Sequence, residues 1–284
     1  MINAKIRSAG ASIRRVVAIR CPVTSAAPLL VLGSWNTVSL DSAYFDQWYA
    51  DLATSPAREA IVARALGLPP ELRFAGILPW SGLADLTSAL RLPPDGLLLD
   101  LACGRGAYGV EVARRAGARL VGVDFSAVAV GQAAALSAGR LPVDRFTFTT
   151  GTLDESGQPA STVDAVMCVD AVQFAEPPLV GLEEMRRVLR PGGRVALTCW
   201  EGVGAEVPAR IRAVDLARDL PRAGFEEVEV LDRPDWRAAE RRLWEMALEA
   251  VDPDPAVRSL QEEARRSLDT FDAMHRVFAT ATAP

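Results

Sequence analysis

Leu98-Leu99-Asp100-Leu101-Ala102-Cys103-Gly104-Arg105-Gly106-Ala107-Tyr108-Gly109 joins a short apolar run to a glycine-rich turn and then to a stretch of helix formers. Gly104, Gly106 and Gly109 spell G-x-G-x-x-G between a strand and a helix, and Asp124 closes the next apolar run, Arg119 to Asp124, twenty residues after Gly104. Working outward, a helix over 107–116 is closed by Gly117, and Ser126 caps a helix running to Gly139. Further strands are expected at 145–150, 163–169 and 194–200, with helices at 179–189 and 208–220 between the later ones. Strands that are apolar throughout and alternate with helices form a parallel sheet covered on both faces, so the fold class is α/β, doubly wound. The carboxyl end departs from simple alternation. A strand at 226–231 is followed by helical stretches at 236–250 and 256–268, split by Asp252-Pro253-Asp254-Pro255, and then by a strand at 276–282. Ahead of the turn cluster Pro93-Pro94-Asp95-Gly96, helices are expected at about 41–52, 56–66 and 83–90.

On paper the glycine pattern suits a dinucleotide, but the charges argue otherwise. A pyrophosphate needs a helix amino terminus with no anion beside it. Asp100 closes the first strand four residues ahead of Gly104 and faces the same crevice. A carboxylate there favours a cation, and S-adenosylmethionine carries a sulfonium and an ammonium but no phosphate, while Asp124 can accept both hydroxyls of its ribose.

Four ordered stretches then carry a resemblance: Leu98 to Gly106, Leu120-Val-Gly-Val-Asp-Phe-Ser126, Val163-Asp-Ala-Val-Met-Cys-Val-Asp170 and Met185-Arg-Arg-Val-Leu-Arg-Pro-Gly-Gly-Arg-Val195. Together they resemble the successive motifs of class I S-adenosylmethionine-dependent methyltransferases of the small-molecule type, over about residues 95–282. The resemblance implies a mostly parallel seven-stranded sheet of order 3-2-1-4-5-7-6, with a helical cap at 41–94 before the main domain at 95–284. The two helices at about 235–273 become a lid between strands six and seven. It further implies that Asp100 and the turn Ala102, Cys103, Gly104 and Gly106 hold the methionine part of the cofactor and that Asp124 holds the ribose. Phe125 and Ser126 then lie beside the adenine, with Thr152 and Leu153 after strand three and Asp170 after strand four. Two departures stand out: Ala102 occupies a position that is usually glycine, and the family's acidic contact to the adenine amine falls near Thr152, with Leu153 and Asp154 beside it, in a loop longer than usual.

Composition narrows the chemistry. The chain has 284 residues, half of them apolar, with one lysine, Lys5, and one histidine, His275. A Schiff-base enzyme lacks its lysine, a multi-histidine metal site is excluded and no metal is expected, and no G-x-S-x-G elbow accompanies the histidine. Residues 1–40 hold five basic and no acidic side chains, whereas the rest carries 26 basic and 36 acidic ones, or −10. So acidic a body repels phosphate backbones, and nucleic acid is not an expected partner. Residues 1–40 read as a basic tail outside the fold. Arg14-Arg15 before the apolar stretch Ala26 to Gly33 is too weak a pattern for an export signal, and no run reaches the ~20 apolar residues that span a bilayer. Cys21, Cys103, Cys168 and Cys199 lack C-x-x-C spacing and read as buried thiols of a cytoplasmic protein that does not use a membrane.

Methyl transfer from a sulfonium depends mainly on alignment in a dry pocket, and a base is needed only if the acceptor must lose a proton. Asp170 and His275 are the two candidate bases, with a turn contact and a surface position as their plainer roles. Tyr44, Trp48, Trp80, Gln173, Trp200 and Trp244 lie in segments expected to frame a substrate pocket, though aromatic residues at helical spacing are as readily core. Together they point to a small apolar or aromatic acceptor of natural-product type, methylated on oxygen, nitrogen or carbon. The partner expected is that small molecule, and a homodimer is left open. Two alternatives stand beside this reading: a cofactor-binding protein repurposed for a non-methylating role such as cyclisation, and a nicotinamide oxidoreductase.

Overall fold

The computed structural model describes residues 41–69, 72 and 76–284. The readings made on residues 1–40, the basic tail, the Arg14-Arg15 pattern and Cys21, lie outside the described residues.

Seven strands form one sheet: β1 (Leu97–Leu101), β2 (Arg119–Asp124), β3 (Phe146–Thr150), β4 (Val163–Val169), β5 (Leu189–Gly202), β6 (Glu226–Asp232) and β7 (Met274–Thr282). Their order is β3-β2-β1-β4-β5-β7-β6, as the resemblance implied. Strands β1 to β5 pair in parallel, and β7 runs antiparallel between β5 and β6. The continuous apolar runs reflect two buried faces. Leu98, Met167, Ala196 and Phe278 belong to a core shared with α2 (Pro56–Leu66), α3 (Trp80–Ala89), α4 (Ala107–Ala116) and α9 (Pro234–Glu249). Leu99, Val166, Leu197 and Ala279 face the other way, against α6 (Pro178–Val188) and α8 (Leu216–Arg222). Burying each such leucine or phenylalanine contributes about 2 kcal/mol, so neither face can be left open.

Local signals set most boundaries. Asp41 caps α1 (Ser42–Leu52) by accepting from the Tyr44 amide, and Gly67 ends α2 in the left-handed region at φ 66°. Ser126 caps α5 (Ala127–Ser137) by accepting from the Ala129 amide. Two expectations need correction. The helix expected at 208–220 is two pieces, α7 (Ala209–Arg212) and α8, because Asp215 accepts from the Arg218 amide and starts a new helix. Strand β5 begins earlier than expected: Leu189 pairs with Val163, and Arg190 to Gly193 bulge out before Arg194 pairs with Ala165. The insertion between β6 and β7 is α9 followed by α10 (Pro255–Asp269), which pack on each other and on α2. Lid and amino-terminal helices thus share contacts as well as core. No helix among the described residues is long and apolar enough to cross a membrane.

Candidate active site

The carboxyl ends of β1, β2 and β4 bring Asp100, Asp124 and Asp170 to one edge of the sheet, where open α/β folds bind ligands. Asp100 is 2% exposed and packs its carboxyl group against the first turn of α4, so close that a Cβ on Gly109 would lie 2.5 Å from Oδ2. Burial, and then the nearby Asp124, push its carboxyl group up to about 7, against a smaller pull from the Gly109 amide. Oδ2 has no hydrogen-bond partner. A buried acceptor left unmatched is costly, and a bound ammonium or other donor would satisfy it.

The glycine turn curls beneath this carboxylate. The Gly104 amide donates to Asp124 Oδ2 at 2.8 Å, the Ser126 amide donates to Oδ1 at 3.0 Å, and the Cys103 amide donates to the Val123 carbonyl. Each Asp124 oxygen keeps a second lone pair for a ligand hydroxyl. Gly106 caps α4 at φ 75°, and the Phe148 ring lies where its side chain would be, so only glycine fits there. Ala102 sits at φ 60°, a left-handed conformation that alanine tolerates poorly.

Helix α1 forms the opposite wall. Asp46 Oδ1 accepts from Ser126 Oγ at 2.5 Å and from the Val128 amide, fixing α1 to the start of α5. Ser126 is therefore fully engaged as a cap and a latch. Phe45 stands 5.2 Å from Phe125, and burial together with Asp124 pushes the Tyr49 hydroxyl well up, which keeps it neutral beside the acids. After β3, the Gly151 amide donates to the Asp124 carbonyl, Thr152 closes a local turn with Glu155, and Leu153 packs toward α6.

Asp170, at φ 59°, is heavily engaged. Its Oδ1 accepts from Thr198 Oγ1 at 2.7 Å and lies 2.8 Å from Arg276 Nη2, while Oδ2 accepts from the Ile77 amide. Arg276 is fully buried, with its guanidinium 4.1 Å from the Trp200 ring centroid and 3.8 Å from Glu240. Glu240 also accepts from the indoles of Trp200 and Trp244, which places both tryptophans in this buried cluster. His275 lies inside β7, exposed and opposite Glu201; by strand alternation it faces away from Arg276 and the Asp170 pair. Gln173 is buried, donating to the Asp170 carbonyl at 2.7 Å. Trp80 stacks under Arg115 in the last turn of α4, two turns from the glycine turn. Tyr44 and Trp48 gather instead with Phe45 and Phe174 at the rim. Arg58, Arg210, Glu240 and Arg276 had no motif in the sequence to mark them, since an isolated arginine ordinarily reads as surface.

Residues 98–193 match the family model described as a methyltransferase domain. This stretch is therefore a methyltransferase domain, as the class I S-adenosylmethionine-dependent resemblance implied. The methyltransferase domain is similar to the ubiquinone/menaquinone biosynthesis C-methyltransferase UbiE of Geobacter sulfurreducens, 31% identical over 49% of this chain and 56% of that protein. The chain thus spans about half the length of that curated relative. Among solved structures, the [4+2]-cyclase SpnF superposes with a TM-score of 0.66 at 22% identity, covering 87% of this chain and 97% of that one. Phosphoethanolamine N-methyltransferase 2 of Haemonchus contortus, with phosphomonomethylethanolamine and S-adenosylhomocysteine, superposes with a TM-score of 0.69 at 17% identity, covering 88% and 61%. At these identities the two structures establish the fold of the methyltransferase domain.

Proposed function

We propose that this methyltransferase domain binds S-adenosylmethionine along the Asp100–Asp124 crevice and methylates a small organic acceptor with an apolar or aromatic body, of the natural-product type. The observation that carries the reading is Asp100, a fully enclosed carboxyl group with an unmatched oxygen at the mouth of the glycine turn. That environment suits the ammonium of a methionine group and rejects a pyrophosphate, which disfavours a nicotinamide dinucleotide. Bound there, the cofactor supplies a methyl carbon already activated by its sulfonium. The chain's own contribution is to hold and enclose. Asp124, braced by the Gly104 and Ser126 amides, offers acceptors to the ribose hydroxyls, and Phe125 with Phe45 offers a flat apolar wall to the adenine. Phe174, in edge contact with Phe45 of α1, offers an apolar surface on the acceptor side. Asp170, committed to Arg276, Thr198 and Ile77, shapes this floor and holds the entry to α3 against the sheet.

That commitment also favours a second reading, cofactor binding without methyl transfer, since Asp170, the acid expected as a base, is already engaged by Arg276, Thr198 and Ile77. The structurally similar SpnF is described as a [4+2]-cyclase. S-adenosylhomocysteine release with a panel of phenols, amines and enols separates the two: turnover supports methyl transfer, while tight cofactor binding with no product across the panel supports the second. Tighter binding of NADH than of S-adenosylmethionine in equilibrium titration would sink both.

A further inference from the structure

The acceptor side of the crevice is an aromatic belt bracketed by arginines. Phe45 contacts Trp48 and Phe174 edge-on, with centroids 6.1 and 5.7 Å apart. Arg58, from α2, lies over the Trp48 ring at 5.5 Å and is only 7% exposed. Arg210, from α7, lies over the Phe174 ring at 5.4 Å. Helix α10 adds Glu263 and Arg266: the Glu263 carboxyl is within electrostatic reach of Arg58, Arg266 and Arg210, and the Tyr44 hydroxyl is near Glu263 and the last two. Glu59, the acid next to Arg58 in sequence, pairs with Arg105 at 2.8 Å and also lies within electrostatic reach of Arg58. Guanidinium groups from two different helices, Arg58 and Arg210, therefore lie over rings of the belt, and Arg266 from a third acts on the Tyr44 hydroxyl at its edge. Burial pushes the Glu263 carboxyl group up, while Arg58, Arg266 and Arg210 pull it down. Tyr44 and Phe174 are 37% and 41% exposed, so a ligand can reach the belt from solvent.

A guanidinium group held near an aromatic ring remains a planar fork of N–H donors, a shape that can grip a planar acid group in two places. The rings alone would suit any apolar acceptor; the arginines around them select for charge. We infer that this belt is the acceptor subsite and that it takes an organic acid, with a flat unsaturated body against Trp48, Phe45 and Phe174 and its anionic group on Arg58, Arg210 and Arg266. The inference rests on the methyl-transfer reading, because it places the acceptor on the rings next to the adenine wall.

The test uses the full chain saturated with S-adenosylhomocysteine, titrated calorimetrically with 1-naphthoate and with its neutral isostere 1-naphthamide. Naphthoate is expected to bind about tenfold tighter or better, the scale of one charge-assisted contact. Arg58→Gln and Arg210→Gln should each bring acid and amide toward parity while leaving S-adenosylhomocysteine affinity within about twofold. Arg210 lies in a four-residue helix, so its replacement threatens the fold less than that of buried Arg58. Equal binding of acid and amide by the unmodified protein, or a preference that survives both substitutions, overturns the inference and leaves the cofactor reading intact. Failure of the unmodified protein to bind S-adenosylhomocysteine overturns the cofactor reading and the inference with it.

Discussion

A carboxyl group that titrates near 7, as Asp100 does, couples the crevice to pH. Between the ordinary aspartate value of about 4 and that raised value, the folded protein keeps a proton that the unfolded chain has lost. Ligand-free stability therefore falls as pH rises through this window. A cation bound against Asp100 favours the carboxylate, so S-adenosylmethionine affinity has the opposite slope. It should rise roughly tenfold between about pH 6 and about pH 8 by calorimetric titration, and Asp100→Asn should flatten the rise. A flat profile in the unmodified protein would remove Asp100 from the cofactor contact. Ala102, two residues on, sits at φ 60° where the family has glycine. Ala102→Gly should relieve this strain and stabilise the protein by about 1 kcal/mol, net of the added freedom of the unfolded chain, or roughly 2–3 °C in melting temperature. The sequence shows that Ala102 departs from the family pattern, but the strain belongs to a backbone angle that no neighbouring residue announces.

Among elements, those with period or punctuation were legible and those defined by distant partners were not. Helix α2 could be read to the residue because Ser55-Pro56 opens it and Gly67 closes it. The break between α7 and α8 was hidden, since Asp215 looks the same as a helix surface residue or as a cap. Arg276 is the strongest case. It reads as a strand residue of no account, yet its partners Asp170 and Glu240 come from β4 and α9, well apart in the chain. This cluster ties the lid helix α9 to the sheet and, through the Ile77 amide, to the approach to α3. Arg276→Met should leave two buried carboxyl groups without their cation and cost about 3–5 kcal/mol in urea unfolding. A loss below about 1 kcal/mol would show that the cluster is solvated in solution.

For the whole molecule, cap, lid and sheet share one core on the α2/α3/α4/α9 face, so ligand binding in the crevice should be felt by all of it. S-adenosylhomocysteine at about a hundred times its dissociation constant should stabilise the fold by about 2.7 kcal/mol and move a single unfolding transition upward by roughly 5–10 °C. Scanning fluorimetry at several concentrations checks this, and two separate transitions would mean that the lid unfolds on its own. Strand β7 adds a constraint of another kind. It lies between β5 and β6 although it follows both in the chain. During vectorial synthesis β5 and β6 must each wait with a bare edge until residues 274–282 leave the ribosome, and an unpaired edge is where strands from other chains add. Translation speed through the α9–α10 stretch thus sets how long the unfinished sheet is open to aggregation.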